Sequence, residues 1–324
     1  MLSSTHITLL AQLAGQSAPR TGDDLARTLG VTRARVSQLV SALNRTYGAS
    51  PITVSRAGYA CPWLVSMLDR ARIAEGSKWQ VEVFPVLAST NQTLMERGAP
   101  HLQVVLAEAQ TAGRGRRGRT WHAMPCASVL LSAAWQFSGG AATLSGLSLS
   151  VGVAIARALE TYGASDITLK WPNDVLWRGQ KLGGVLIELA GDALGPTHAV
   201  VGIGLNVHLP AAARQAIDQP VTDLSTIAPD VRADRNQLVR LLLSSLEATL
   251  TEFQQAGFAA HADAWRALHA YEGKPTRVIQ PDGVVHEADA TSVDGSGALV
   301  LKRGASIVTV HSAEVSLRAK SPVG

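Results

Sequence analysis

The sequence predicts a multi-domain α/β protein, on three observations. A helix, tight turn and helix followed by a short hairpin pattern fill roughly the first 62 residues. Short apolar runs alternate with amphipathic helical patterns through the middle. From about Gly273 the chain breaks into β-branched runs at Pro-Asp-Gly, Asp-Gly and Arg-Gly turns. The parts expected are a winged helix-turn-helix over 1–62, a linking helix over 63–76, a mixed-sheet α/β domain over 77–271, and a small β-barrel over 272–324.

The elements follow in order. In "RTGDDLARTLGVTRARVSQLVSALNRTYG", Leu25 and Leu29 give one helix an apolar face and Gly30 allows a turn. Thr32 then caps a second helix, whose Val36, Leu39, Val40 and Leu43 form a single stripe. Arg33, Arg35, Ser37, Gln38 and Ser41 fall on the outer side. "PITVSRAGYACP" reads as a wing with Arg56 at its tip. This is the layout of a DNA-reading helix and wing, although a helical unit with a solvated polar face has the same pattern. "LQVVLAEA" and "SVLLSAAW" suit central strands, and Leu144 to Tyr162 recur at helical period. "DITLKWPNDVLWRGQKLGGVLIEL" reads as strand, break at Pro172, strand, turn, strand, and "HAVVGIGLNV" as another strand. Residues 208–233 read as loop plus short helix. Asp234 opens a long amphipathic helix, followed by a shorter one in "FAAHADAWRALHAY".

Composition bounds the function classes. With 46% hydrophobic and 17% charged residues the 324-residue chain can build a sizeable core. A net charge of +4, from 29 basic and 25 acidic residues, identifies no partner until the charge is located. Cys61 and Cys126 form no CxxC pair, which argues against zinc and against a disulfide framework. No signal-peptide pattern and no 18-residue apolar run is evident, so a soluble cytoplasmic protein without a membrane partner is expected.

The remaining charge is concentrated. Between Gly113 and Arg119, four arginines are spaced by glycines in "AGRGRRGRTW". Arginine forks suit phosphate or carboxylate, and glycine lets backbone N–H groups approach a ligand. The pattern lacks the Walker sequence. "KWPNDV" brings Lys170, Asn173 and Asp174 to a proline break, "QKLGG" sets Lys181 before two glycines, and "GIGLN" puts glycines inside an apolar strand. "STNQ" offers Ser89, Thr90 and Asn91 as polar partners. Each has a plainer reading as a turn, solvated lysine, bulge or helix cap.

Taken in order, these motifs resemble the biotin–protein ligases, most densely over 89–206. With the N-terminal helices, the chain is similar to the bifunctional members that also act as biotin operon repressors. The resemblance implies a biotin/lipoate-ligase-like central domain and an SH3-like C-terminal barrel. It implies ATP and biotin as substrates with Mg²⁺, formation of biotinyl-5′-AMP, and transfer to one lysine of a biotin carboxyl carrier protein. The biotin side would comprise Ser89, Thr90, Asn91, Gln110, Arg114, Gly115, Arg116, Lys181, Gly184 and Gly202. The ATP and adenylate side would comprise Arg117, Arg119, Trp121, Lys170, Asn173, Asn206 and Arg318, the last within "EVSLR". Arg116 and Lys181 would grip the reacting carboxylate and phosphate, and Asp174 would orient or deprotonate the acceptor lysine. No protein metal cage is expected. The glycines would keep the arginine loop mobile until an anionic ligand orders it. An adenylate-bound homodimer would then present Arg33, Arg35, Ser37, Gln38 and Arg56 to operator DNA. Residues 208–225 match the family poorly, which leaves the adenine-side contacts open. Two rival readings are a lipoate or octanoyl ligase of the same fold, and a ligand-sensing transcription factor without ligase activity.

Overall fold

The computed structural model describes the chain except residues 1, 17, 48–51, 62–65, 192–194, 216, 229–233, 280–284, 312–315 and 320–324. The N-terminal part holds helices α1 (Ser4–Leu13), α2 (Gly22–Leu29) and α3 (Arg33–Tyr47) and an antiparallel pair, β1 (Thr53–Ser55) and β2 (Gly58–Ala60). Thr21 caps α2 by accepting from the Asp24 N–H, and Gly30 closes it in the left-handed region at φ 65°. Thr32 accepts from the Arg35 N–H at 3.2 Å and starts α3. Leu25, Val36, Leu39, Val40 and Leu43 are buried together with Ile7, Leu9, Leu10 and Leu13 of α1, a helix the sequence reading did not single out. That apolar cluster also takes in Cys61, Ala109 and Cys126, so it runs into the central body.

The expected linking helix over 63–76 is shorter: α4 spans Arg70–Ala74, and Ser66–Leu68 are not helical. Asp69 stops it from extending backwards, because its carboxylate accepts from the N–H groups of Ala71 and Arg72.

The central body is a seven-stranded mixed sheet. Its strands are β3 (Gln80–Phe84), β4 (Gln103–Ala107), β5 (Ser128–Phe137), β6 (Ile167–Lys170), β7 (Asp174–Trp177), β8 (Gln180–Gly191) and β9 (Thr197–Asn206). Their order is β3-β4-β5-β9-β8-β7-β6, with β3 and β4 parallel and the other pairs antiparallel. Side chains alternate between the faces. Odd residues of β5 and β9, such as Leu131, Ala133, Val201 and Leu205, enter the main core with α6 (Leu147–Tyr162) and α9 (Arg235–Ala256). Even residues Ala134 and Val200 meet α5 (Thr90–Glu96) on the other face.

Helix α6 with the turn before it, Ala141–Tyr162, is long and apolar enough to cross a membrane. This corrects the expectation of no such run. Its apolar residues are spread around the helix because it lies between the sheet and α9, and two thirds of its most apolar window is buried. Short helices α7 (Ala211–Gln215), α8 (Leu224–Ile227) and α10 (Ala262–Ala267) complete the body.

The C-terminal part is a five-stranded antiparallel sheet of β10 (Lys274–Ile279), β11 (Val285–Val293), β12 (Leu299–Arg303), β13 (Ser306–Val310) and β14 (Ser316–Ala319), ordered β13-β12-β11-β10-β14. Too small to bury a core alone, it shares one: Val278, Ala290, Val293, Leu299 and Leu301 join the central apolar cluster. Its Asp294–Gly297 turn docks beside the Pro172 break, where the Trp171 indole N–H donates to the Gly297 carbonyl at 3.1 Å.

Candidate functional site

The site is a cleft on the α5 face of the sheet, and its floor is built by strand register. Leu130 of β5, Gly204 of β9 and Gly184 of β8 lie opposite one another, and Ser132, Gly202 and Leu186 form the neighbouring row. The small residues in these rows leave a trough, into which the surrounding elements project polar and cationic groups.

One end is a hydrogen-bonded network of hydroxyl and amide side chains, backed by the Glu188–Arg114 pair. Ser89 caps α5, which places Thr90 and Asn91 over the floor with both side chains buried. The Gln110 side-chain oxygen accepts from the Thr90 N–H at 2.6 Å and from its hydroxyl at 3.1 Å. The Ser132 hydroxyl lies 2.7 Å from Thr90 Oγ1 and 2.5 Å from Asn91 Oδ1. The Asn91 amide donates to Glu188 Oε2 at 2.7 Å and to the Leu186 carbonyl at 3.3 Å. Glu188 also faces Arg114 at 3.6 Å. Such a set offers donors and acceptors fixed in direction, which suits a polar uncharged ring.

The other end is ionic. Lys170 and Asp174 are opposed across the hairpin made by the Trp171–Pro172–Asn173 break. A register shift in β7–β8 pairs Val175 with Gly183 but Leu176 with Lys181, so Leu182 is an extra residue. The bulge turns Lys181 into the cleft while Leu182 enters the core. Lys181 Nζ lies 2.6 Å and Lys170 Nζ 3.4 Å from the Asp174 carboxylate. Burial alone would raise the Asp174 pKa, but the two ammonium groups outweigh it and hold the carboxyl below its ordinary value. Arg116 reaches the same end. Its own pKa is lowered by burial and by Arg117 and Arg119, against the opposing pull of Asp174.

The arginine segment is a hairpin. Trp121 N–H donates to the Gly113 carbonyl at 2.9 Å, Arg114 bridges Thr120, and Gly115 N–H donates to the Arg119 carbonyl at 2.7 Å. A short 3₁₀ turn over Arg116–Gly118 forms the tip, with Arg117 in the left-handed region at φ 58°. Geometry accounts for two of the glycines that the sequence reading attributed to mobility. A Cβ on Gly113 would lie 2.9 Å from the Trp121 carbonyl oxygen, and Gly118 has φ +69°.

The strand glycines also differ from expectation. The sequence suggested a ligand close to "GIGLN", but the space over Gly202 is taken by Asn91 and that over Gly204 by the Trp121 ring. Lys181 Nζ stands 5.5 Å from the centre of that ring. Gly184 is the glycine of these rows with room for a side chain: the Asn173 carbonyl oxygen, Lys181 Cε and Asp174 Oδ1 lie at ordinary contact distances of 3.5, 3.5 and 3.6 Å from where a Cβ would stand.

Ser89, Thr90, Asn91, Gln110, Arg114, Gly115, Arg116, Arg117, Arg119, Trp121, Lys170, Asn173, Asp174, Lys181, Gly184, Gly202 and Asn206 thus line one cleft, although they come from motifs spread over more than a hundred residues. Asn173 spends its amide on the Val185 carbonyl at 2.7 Å. Ser132 and Glu188 were missed: they sit in apolar strand runs, and only their pairing rows reveal them. The backbone of Arg318 pairs with Arg277, and its side chain lies outside the described residues. Arg33, Arg35, Ser37, Gln38 and Arg56 are far from the cleft in sequence and exposed, with Arg33 3.6 Å from Asp23 and Arg35 bonded to Gln38 at 3.3 Å. Among the described residues no three His, Cys, Asp or Glu groups gather to hold a metal ion.

Comparison with known proteins gives two family matches, the biotin/lipoate A/B protein ligase family over residues 83–206 and the biotin protein ligase C-terminal domain over 272–318. The bifunctional ligase/repressor BirA of Escherichia coli is 33% identical over 98% of both chains. A biotin–[acetyl-CoA-carboxylase] ligase of Mycobacterium tuberculosis is 36% identical over 75% of this chain and 91% of its own. The solved biotin protein ligase of Aquifex aeolicus in complex with biotin and ATP superposes with TM-score 0.64 at 25% identity, over 74% of this chain and 99% of that one.

Proposed function

Because the chain belongs to the biotin/lipoate A/B protein ligase family, we propose that its cleft joins biotin to ATP, forming biotinyl-5′-AMP, and then passes the biotinyl group to a lysine of a biotin carboxyl carrier protein. The observation that carries this reading is the division of one cleft into an end of oriented hydroxyl and amide groups and a cationic end. A ureido ring fits the first: Thr90, Asn91 and Gln110 offer it donors and acceptors, oriented in part by the buried Ser132 hydroxyl. The valeryl carboxylate then lies toward Lys181.

The first step must bring together two anions. The carboxylate oxygen attacks the α-phosphorus, the bond to the bridging oxygen breaks, and pyrophosphate leaves with no proton transferred. No side chain has to act as nucleophile, and positioning with cationic stabilisation suffices. Lys181, Lys170 and Arg116 supply that field, and Arg117 and Arg119 lie where the leaving phosphates would emerge. Three buried polar atoms around this end, Trp121 Nε1, Asn206 Oδ1 and Thr222 Oγ1, have no hydrogen-bond partner among the described residues. Trp121 and Asn206 line the cleft here with Ile217 and Val221, a mixed polar and apolar surface suited to the adenine. Asp174 is the carboxylate of this end and both its oxygens face lysines, so the residues do not form a protein cage for Mg²⁺. The ion would arrive held by the nucleotide phosphates and neutralise their charge.

In the second step the acceptor lysine, having lost its ammonium proton to solvent, attacks the acyl carbon as a neutral amine; the bond from that carbon to the phosphate oxygen breaks, AMP departs, and the proton left on nitrogen passes to water. Asp174, kept ionised by two lysines, is a weak base. It suits holding Lys181 and orienting the incoming amine through its N–H better than accepting a proton.

The N-terminal helices and hairpin support a winged helix-turn-helix over 1–62, with exposed Arg33, Arg35, Ser37, Gln38 and Arg56 turned toward operator DNA in an adenylate-dependent dimer. The C-terminal sheet supports the SH3-like barrel. Incubation with ATP, Mg²⁺, biotin and a carrier domain, read by avidin, tests the enzyme. Lipoate in place of biotin tests the nearest rival acid, and label from lipoate alone overturns the proposal. Loss of operator binding on deleting 1–62, with biotinylation retained, is the result expected of the repressor role.

A further inference from the structure

The stretch after Asn206 that matched the family least is held by a closed set of contacts. Asp223 is fully buried, and its two carboxylate oxygens accept from four donors. Oδ1 takes the Thr226 N–H at 2.9 Å and the Ser225 hydroxyl at 3.0 Å, while Oδ2 takes the Leu209 N–H at 2.5 Å and Arg214 Nη2 at 2.8 Å. The Thr226 bond is also the N-terminal cap of α8. Arg214 also donates from Nε to the Leu209 carbonyl at 2.9 Å and from Nη2 to the Thr226 hydroxyl at 2.7 Å.

The pair therefore ties the start of the loop at Leu209 to its return at Asp223. Between them the backbone lies along Lys181: the Lys181 N–H donates to the Pro220 carbonyl and the Thr222 N–H to the Lys181 carbonyl, both at 2.9 Å. The Thr222 carbonyl in turn accepts from the Asn206 amide at 3.1 Å. Ile217, Gln219 and Val221 of the same loop line the cleft.

We propose that the Arg214–Asp223 pair is a clamp that presets the nucleotide side of the cleft, making Arg214 a positioning residue for the use of ATP. The inference rests on the ligase reading above and deepens it: Arg214 touches no substrate and acts through the backbone that seats Lys181 and Asn206. The bicyclic ring of biotin is held at the opposite end, where Thr90 bonds Gln110 and Asn91 bonds Glu188, residues that make none of these contacts.

The test uses the full chain and measures biotin-dependent exchange of pyrophosphate into ATP at varied ATP, calorimetric binding of biotin without ATP, and cleavage within 209–221 by proteinase K. Arg214→Ala is expected to raise KM for ATP about tenfold or more, to leave the biotin Kd within about twofold, and to speed cleavage in the loop. Arg214→Lys, which keeps the charge but not the forked geometry, is expected to recover part of the ATP effect. An unchanged KM for ATP in Arg214→Ala overturns the clamp, as does an equal loss of ATP and biotin affinity, which would mark a general loss of folding. Absence of exchange in the unaltered protein defeats the ligase reading instead. Cleavage then decides the clamp, and equal rates in both proteins overturn it.

Discussion

Gly204→Ala tests the cleft floor directly. A Cβ there would stand 2.6 Å from Trp121 Cε2, 2.7 Å from Cζ2 and 3.0 Å from Nε1, whereas ordinary contact begins near 3.4 Å. The ring must rise by about 1 Å, while its backbone is tied to Gly113. Overpacking of this kind costs about 1–3 kcal/mol, and the contact of Lys181 with the ring, worth about 0.5–2 kcal/mol, weakens with it. Displacing a positioning group by about 1 Å can cost roughly 10²-fold in rate. The expected result is a fall of about 10- to 100-fold in kcat/KM for ATP in pyrophosphate exchange, with a lowered Tm. In a Trp121→Ala background the same substitution is expected to be nearly neutral for stability, because its collision partner is gone. Gly184→Ala is the comparison: its Cβ meets nothing closer than 3.5 Å, so Tm should hold while biotin affinity falls as the methyl occupies the cleft. Unaltered kcat/KM and Tm in Gly204→Ala, or an equal penalty with and without Trp121, would refute the reasoning.

Other perturbations probe the rest of the structure. Ser132→Ala strips a hydroxyl from Thr90 and Asn91; at about 1–3 kcal/mol for buried partners left unsatisfied, biotin affinity should drop about tenfold or more by calorimetry, and an unchanged Kd would remove Ser132 from the site. Asp174→Asn removes a carboxyl whose folded pKa is depressed. Its stabilisation is fully present above the unfolded value of about 4 and fades as pH falls through the folded value. The stability gap between parent and variant should therefore be constant near neutrality and shrink only in acid, as denaturant titrations at several pH values would show. Glu108→Gln disrupts an ion pair with Arg235 at 2.7 Å in which both side chains are almost wholly buried, and should cost about 3–5 kcal/mol in chemical unfolding.

Much of the site was legible because its parts are local signals. The Pro172 break, the basic hairpin and the strand runs are each written within ten residues, and each puts its polar groups at a strand end or turn. What was not legible depends on which strand lies beside which. Ser132 and Glu188 look like isolated polar interruptions until register sets Ser132 beside Gly202 and the fold brings Asn91 over Gly202, to bond both Ser132 and Glu188. The strand glycines were readable as close approaches, but not as approaches of the chain's own Asn91 and Trp121. The bulge at Leu182 is invisible in the string "QKLGG", yet it determines which face Lys181 takes. Helix α1 and the Arg214–Asp223 pair sit in stretches whose periodicity is weak, so their partners became evident only in three dimensions.

The guanidinium of Arg235 has a practical consequence. It is wholly buried and donates to the Ser66 carbonyl at 2.6 and 2.9 Å and to the Ser128 carbonyl at 3.2 Å, besides pairing with Glu108, which itself accepts from the Leu68 N–H at 2.7 Å. Glu108 and Ser128 bracket the arginine hairpin, and Ser66 belongs to the tether from the first helices. Anyone excising the catalytic portion by cutting after residue 68 would remove the Ser66 carbonyl from Arg235 and the Leu68 N–H from Glu108, leaving a buried ion pair short of its hydrogen bonds at one root of the hairpin. A cut placed ahead of Ser66 leaves that knot tied.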